Sequence, residues 1–407
     1  MKISNCVRSA VCVLLYISYT AIYMARLNLS MSSDALTGAG ILTDVEYGIL
    51  GGAFLVVYAL GRLFNGWLSD RLPPRTMICA GLLLSGAANI VFSALPPFSG
   101  MLVLWSLNAF AQSMLWSPIL RVVAAMYDGE RAGKITSLMV TSVAAGNIVG
   151  IVVNTALIVH YGTRFAFIIP GGINLLLGAA VLILLGRTGI GTTETDKSAQ
   201  PVSQAPLVSL LRRPDMLAAI AYAFAHGIMK DNITVWMTKY FIAAYDIDLT
   251  KASYFVIFIP AVGFVGRMLY PLVYRLTGQK EHIASLFGFV ICLASSVPLC
   301  FGVASPVAAM VCLGLVYAAV SVINTSLLSI YPIRFVPQGR VATVSGMMDF
   351  STYLGAGISS SVYGFLVSSA GYPPMYGSWA VVSALSAMSI LLFLVPRKKR
   401  ENGRKGS

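Results

Sequence analysis

Five cationic side chains lie inside stretches of this 407-residue chain that are otherwise apolar enough to cross a bilayer: Arg26, Arg62, Arg121, Lys230 and Arg267. Only two carboxylates, Asp231 and Asp349, sit at comparable depth. A charge at the centre of a membrane helix costs at least about 2.5–3.5 kcal/mol, so such residues are expected to turn inward and to carry function. The excess is positive, and its simplest use is to hold an anion on its way across a membrane. A guanidinium offers a planar fork of donors that matches phosphate or carboxylate oxygens two at a time.

Spacing adds neighbours to these charges. Tyr19, Tyr23 and Arg26 are four and three residues apart and share one helix face, which puts two phenol hydroxyls beside a guanidinium. His226 precedes Lys230 by four residues and lies on its face, as a ligand donor, a proton carrier or a satisfied buried histidine. Asp231 adjoins Lys230, but neighbours on a helix point in different directions, so Lys230 is read as a second cavity cation facing Arg26. Arg62 and Arg267 either line the substrate path or snorkel to the near surface. Asp349 either neutralises a cavity cation or takes up a proton. No nucleophile–base or metal-ligand constellation is present, so an enzyme, a cofactor and a metal are not expected.

The elements that must position these residues are membrane helices. Hydrophobic residues make up 57% of the chain and charged residues 11%, and the mean hydropathy is +0.80, a composition foreign to soluble domains. Twelve apolar stretches of about 20 residues follow one another, each able to cross roughly 30 Å of hydrocarbon. They are predicted at 9–33, 47–68, 77–95, 100–125, 135–159, 165–186, 216–243, 252–273, 283–302, 307–331, 341–368 and 376–396. Most of the 28 lysines and arginines fall in alternate loops on one side, with only Arg164 and Lys251 in loops on the other. That asymmetry predicts both termini in the cytoplasm. The net charge of +13 therefore reads as membrane orientation, with a basic tail at 397–407 anchored to an anionic surface and no nucleic-acid partner. A secretory signal at the start would leave eleven spans and is rejected. The six cysteines show no paired spacing that would suggest disulfides.

The two ends of the chain repeat each other. Met24-Ala-Arg26-Leu-Asn28 parallels Ile228-Met-Lys230-Asp-Asn232, Gly61-Arg62-Leu63 parallels Gly266-Arg267-Met268, Gly133-Lys134 parallels Gly339-Arg340, and Gly150 parallels Gly355. A polar stretch at 187–213, rich in Thr, Ser, Gln and Pro, separates the copies. The predicted organisation is a six-helix bundle at 1–186, a linker at 187–213, a second bundle at 214–396 and the tail at 397–407. Gly146 and Gly150, like Gly355 and Gly357, are expected to let helices pack closely.

These features together resemble the major facilitator superfamily, in which parallel six-helix repeats hold substrate between them at mid-membrane. Gly66 through Asp70-Arg71 and Arg75 is similar to that superfamily's short inner loop, implying a latch between the halves. More narrowly, Tyr19-xxx-Tyr23-xx-Arg26-x-Asn28, Arg62 before Ser69-Asp70-Arg71, Trp116-Ser-Pro118-xx-Arg121, Glu130-Arg131-xx-Lys134 and Gly346 through Tyr353-Leu-Gly355 resemble the organophosphate:phosphate antiporter family. The resemblance implies that Arg26 binds phosphate. It also shows two departures: the family's second phosphate-binding arginine stands here as Lys230, and its histidine on the fifth helix is replaced by the run Ala145-Gly146-Asn147.

The expectation is an all-α membrane protein of twelve helices in two pseudo-symmetric bundles, multi-pass in a bacterial-type inner membrane and monomeric. It should exchange a small organophosphate for phosphate by alternating access. Substrate is assigned to Arg26, Lys230, Tyr19, Tyr23, Arg62, Arg267 and His226, and gating or coupling to Asp70, Arg71, Arg121, Asp231 and Asp349. The alternatives are a proton-coupled organic-anion symporter, which Arg26-x-Asn28-Leu-Ser resembles, and a sugar-phosphate sensor that does not transport.

Overall fold

The structure, a computed structural model, describes residues 5–69, 71–127, 129–188, 212–338 and 341–394. Asp70, the linker residues 189–211, Gly339-Arg340 and the basic tail lie outside the described residues, which contain helix and turn but no strand. The first six spans are α1 (Asn5–Met31), α3 (Asp44–Ser69), α4 (Pro74–Phe92), the pair α5 (Phe98–Ser113) and α6 (Trp116–Met126), α7 (Gly129–Tyr161) and α8 (Phe165–Thr188), with the short α2 (Ser33–Gly38) following α1. The second six are α9 (Pro214–Tyr245), α10 (Leu249–Leu276), α11 (Glu281–Cys300), α12 (Pro306–Asn324), α13 (Val341–Ala370) and α14 (Pro373–Leu394).

Two spans depart from the uniform helices expected. The fourth breaks at Met114–Leu115, because Pro118 has no N–H to give the carbonyl four residues back and its ring crowds that turn. The tenth loosens into a π-helical segment over Thr325–Ile330 and a 3-10 segment over Tyr331–Gln338. Pro332 and Pro337 there again remove the donors a regular helix needs.

Ten helical stretches among the described residues are long and apolar enough to cross a membrane. The two remaining spans are α9, interrupted by His226, Lys230 and Asp231, and α13, rich in Ser and Gly. Lipid does not drive helices together, so association rests on small residues that let backbones approach. A methyl group placed on Gly146 would come within 2.8 Å of Tyr23, and one on Gly150 within 3.0 Å of Leu27, which fixes α7 against α1. One on Gly48 would meet the Ser360 carbonyl at 2.8 Å, and one on Gly364 the Asp44 carbonyl at 2.8 Å, which fixes α3 against α13.

The approach of α3 to α13 belongs to a seam at one end of the molecule, opposite the end that holds Asn5 and Leu394. Ser30 Oγ donates to the carbonyls of Thr234 and Val235 at 2.8 and 2.9 Å, and the Tyr47 hydroxyl also donates to Val235 O. Lys239 Nζ donates to Thr37 Oγ1 at 2.8 Å and pairs with Asp44. Thr155 and Ser253 share a hydrogen bond of 2.6 Å. Each link joins one of the first six spans, or α2 beside them, to one of the second six. Beneath the seam the two sets part around a cavity.

Candidate anion-binding cavity

The cavity has a volume of about 350 Å³ and extends from Ser30 and Thr234 under the seam toward the termini, reaching Trp116, Val140 and Ser329. Four cations line it, Arg26, Arg62, Lys230 and Arg267, with two carboxylates, Asp231 and Asp349. Its lining therefore carries an excess of two positive charges. Arg121, counted among the interior cations from the sequence, is not one of them. Its Nη1 donates to Leu72 O at 3.3 Å, at the loop between α3 and α4.

The four cations differ sharply in company. Arg26, on α1, has no carboxylate partner among the described residues. Its guanidinium carbon lies 4.3 Å from the ring centroid of Tyr58, 5.1 Å from Phe54 and 5.2 Å from Tyr23. Its Nε donates to Gln112 Oε1 at 3.2 Å, while Nη2 is buried without a hydrogen-bond partner. Ring faces attract a cation by roughly 0.5–2 kcal/mol each, against a desolvation penalty of several kcal/mol per buried ion. Three rings together are worth about 1.5–6 kcal/mol, the same order as that penalty, and what they leave open is Nη2, a donor still available to an anion in the cavity.

Lys230, on α9, is the reverse. Its Nζ lies 3.2 Å from Asp231 Oδ2 and 3.4 Å from Oδ1, over the Tyr353 ring at 4.9 Å. The reading of Lys230 as an unmatched partner of Arg26 is corrected by this pair. Both side chains line the cavity, and their flexible stems close the angle that separates adjacent positions on a helix. Arg62, on α3, pairs with Asp349 of α13 at 3.1 Å, an ion pair across the two sets of spans. Asp349 thus lies against a cavity cation. Arg267, on α10, lines the cavity with its Nε buried and without a partner.

Tyr19 and Tyr23 line the cavity as their spacing required, and Tyr19 also packs against Trp116 at 4.9 Å between ring centroids. His226 does not reach it. The ring is fully buried between α9 and α12, where Nε2 donates to Val320 O at 3.2 Å and Nδ1 has no partner. One turn of helix separates it from Lys230, but its ring turns toward α12. Among the described residues, Arg71 stacks on Trp67 at 3.9 Å and donates to Trp67 O at 3.1 Å, both contacts on its own stretch of chain.

Sequence reasoning missed two groups. One is the seam pair, Lys239 with Asp44, although an ammonium inside an apolar span is the very signal that singled out Lys230. The other is a layer of buried amides behind Arg26: Asn28, Asn89, Asn108 and Gln112 are all fully buried and joined by hydrogen bonds.

Known proteins resemble this chain in fold and in sequence. A bacterial homolog of the human lysosomal transporter Spinster has a TM-score of 0.75 at 15% identity, over 96% of this chain and 95% of that one. The nucleoside transporter NupG has a TM-score of 0.77 at 12% identity, over 94% and 99%. In sequence, the membrane sensor protein UhpC of Salmonella typhimurium is 24% identical over 281 residues, 64% of this chain and 63% of that one. The glycerol-3-phosphate transporter of Haemophilus influenzae is 30% identical over 155 residues, 37% of this chain and 32% of that one. The match thus spans less than two thirds of either curated relative. The profile of the Major Facilitator Superfamily matches residues 10–360. With helices alone, a cavity between two sets of six spans and that match over most of its length, the chain is an integral, multi-pass membrane protein that belongs to the Major Facilitator Superfamily.

Proposed function

We propose that this protein exchanges a small phosphorylated organic anion for inorganic phosphate by alternating access. The observation that carries the reading is the charge of the cavity lining, four cations against two carboxylates. A phosphate monoester carries about −1.5 to −2 at neutral pH, which matches that excess of two. An empty cavity would keep its positive charges in a low-dielectric seam on closing, and a bound dianion relieves them. Reorientation then requires an anion in each direction, which is exchange. Arg26 and Arg267 hold the guest, with Tyr19 and Tyr23 beside it. Lys230 and Arg62 contribute charge already shared with Asp231 and Asp349.

The glycerol-3-phosphate transporter relatives support the substrate class. The charge bias of the loops supports termini in the cytoplasm of an inner membrane, so the sealed end faces outward. The polar stretch at 187–213 then links two six-helix halves on the inner side. One chain completes the cavity, so a monomer suffices. A second reading is a sensor that binds a sugar phosphate without carrying it, and the extent of the match to UhpC favours it.

Proteoliposomes separate these readings. Uptake of radiolabelled phosphate that requires phosphate inside the vesicle is expected. Uptake driven by an inward proton gradient without internal phosphate would replace exchange by symport. Saturable glucose-6-phosphate binding with no uptake would leave the sensor.

A further inference from the structure

An arginine inside a membrane span is usually held by a carboxylate. Arg26 is held instead by the neutral amide of Gln112, which is fully buried on α5 and does not line the cavity. The orientation of that amide is over-determined. Its Nε2 donates to Ala25 O at 3.2 Å and to Asn108 Oδ1 at 3.1 Å, so Oε1 is the atom left facing Arg26 Nε. Flipping the amide would set its oxygen against two acceptors. Asn108 is fixed in turn: Nδ2 donates to Ala25 O at 2.9 Å, and Oδ1 accepts from Ser85 Oγ at 2.7 Å and Asn89 Nδ2 at 3.1 Å. A chain of neutral dipoles in α4 and α5 thus reaches the carbonyl just before Arg26 and the near edge of its guanidinium.

We infer that Gln112 is a positioning residue for anion binding: it fixes Arg26 by the Nε edge through an uncharged acceptor and leaves Nη2 and the whole positive charge to the guest. A glutamate would have nearly the same shape and could hold the same edge with one oxygen, while its second oxygen, like the methionine of an uncharged variant, would lose the bonds to Ala25 O and Asn108 Oδ1. It would also cancel the charge, and Arg26 would become a second Lys230. The neutrality of position 112 is therefore part of the binding site, although the side chain never touches the anion.

The inference rests on the anion-exchange reading, so its test has one arm that depends on transport and one that does not. In phosphate-loaded proteoliposomes, Gln112→Glu should raise the KM for phosphate by about a hundredfold or more, from a charge pair at contact distance. Gln112→Met, which removes the amide without adding charge, should raise it by about tenfold, with kcat changed less than threefold in both. An amide that served packing alone would be hurt equally by the two substitutions. Equal rises in KM, or none above twofold, would overturn the assignment. The second arm is modification of Arg26 by phenylglyoxal in purified protein, followed by peptide mass spectrometry. Gln112→Glu should slow it at least fivefold relative to the unmodified sequence, and an unchanged rate would equally overturn the assignment. If the unmodified protein exchanges no phosphate yet this slowing is seen, the transport reading fails and the role of Gln112 stands.

Discussion

Arg26 on α1 and Lys230 on α9 occupy corresponding places in the sequence repeat, and both line the cavity, yet they are provided for in opposite ways. Around Arg26 stand three aromatic rings and an amide. Around Lys230 stand a carboxylate and one ring. The first arrangement orients a charge without cancelling it; the second cancels most of it. A repeat can therefore conserve where a cation sits while changing what that cation is free to do. The rings and dipoles about Arg26 make an attractive site for an anion because they stop short of satisfying the guanidinium. The Lys230–Asp231 pair behaves more like part of the wall.

The sharpest way to break this contrast is to exchange the two cation types. Arg26→Lys removes the fork, the bond from Nε to Gln112 and the flat surface that lies on Tyr58, three losses at once. It should raise the KM for phosphate by about a hundredfold, because a lysine is a point charge and replaces none of them. Lys230→Arg keeps a cation beside Asp231 and should change KM by less than about threefold. Similar effects from the two would show that the walls are equivalent.

A smaller effect should follow from freeing the second cation. Asp231→Asn removes the carboxylate that lies 3.2 Å from Lys230 and raises the excess charge of the lining by one. Phosphate affinity should rise by about tenfold, corresponding to a pair worth 1–2 kcal/mol at this partly exposed position. Turnover should fall, because a tighter guest leaves more slowly. An unchanged KM would mean that Lys230 does not face the anion even when unpaired.

Much of the scaffold was legible because lipid imposes a simple rule: about 20 apolar residues to a span. The same rule exposed the interior charges, since each stood out against its surroundings. It did not reveal their partners. Lys230 meets the residue next to it and Arg62 meets one on the eleventh span, and nothing in local spacing distinguishes the two cases. His226 was misassigned because a shared helix face is about 100° wide, enough to include both the cavity and α12. Gln112 was missed because an uncharged amide in an apolar span raises little alarm, although its place behind Arg26 is what decides the character of the site. The break at Met114 was signalled by Pro118, but the apolar run on both sides concealed it.

Lys239 extends the contrast to a third cation. It lies on the same helix as Lys230 and is also matched by an acid, but its partner Asp44 belongs to α3, so the pair ties the two sets of spans together at the sealed end. Asp44→Asn leaves an ammonium whose side chain is only 7% exposed without its carboxylate, and a stranded buried charge is costlier than a missing pair. Lys239→Met leaves Asp44, which is 26% exposed and closer to water. The seal should therefore loosen more in the first variant than in the second. With a cysteine at position 253 and the native cysteines replaced, labelling by a membrane-impermeant maleimide from the outer side should rise about threefold for Asp44→Asn and less than twofold for Lys239→Met. The other seam contacts, Ser30 to Thr234 and Tyr47 to Val235, remain in both, which is why the effect is the smallest of the three. Equal labelling in the two variants would place Lys239 with Lys230, as a locally neutralised charge rather than a tie between the halves.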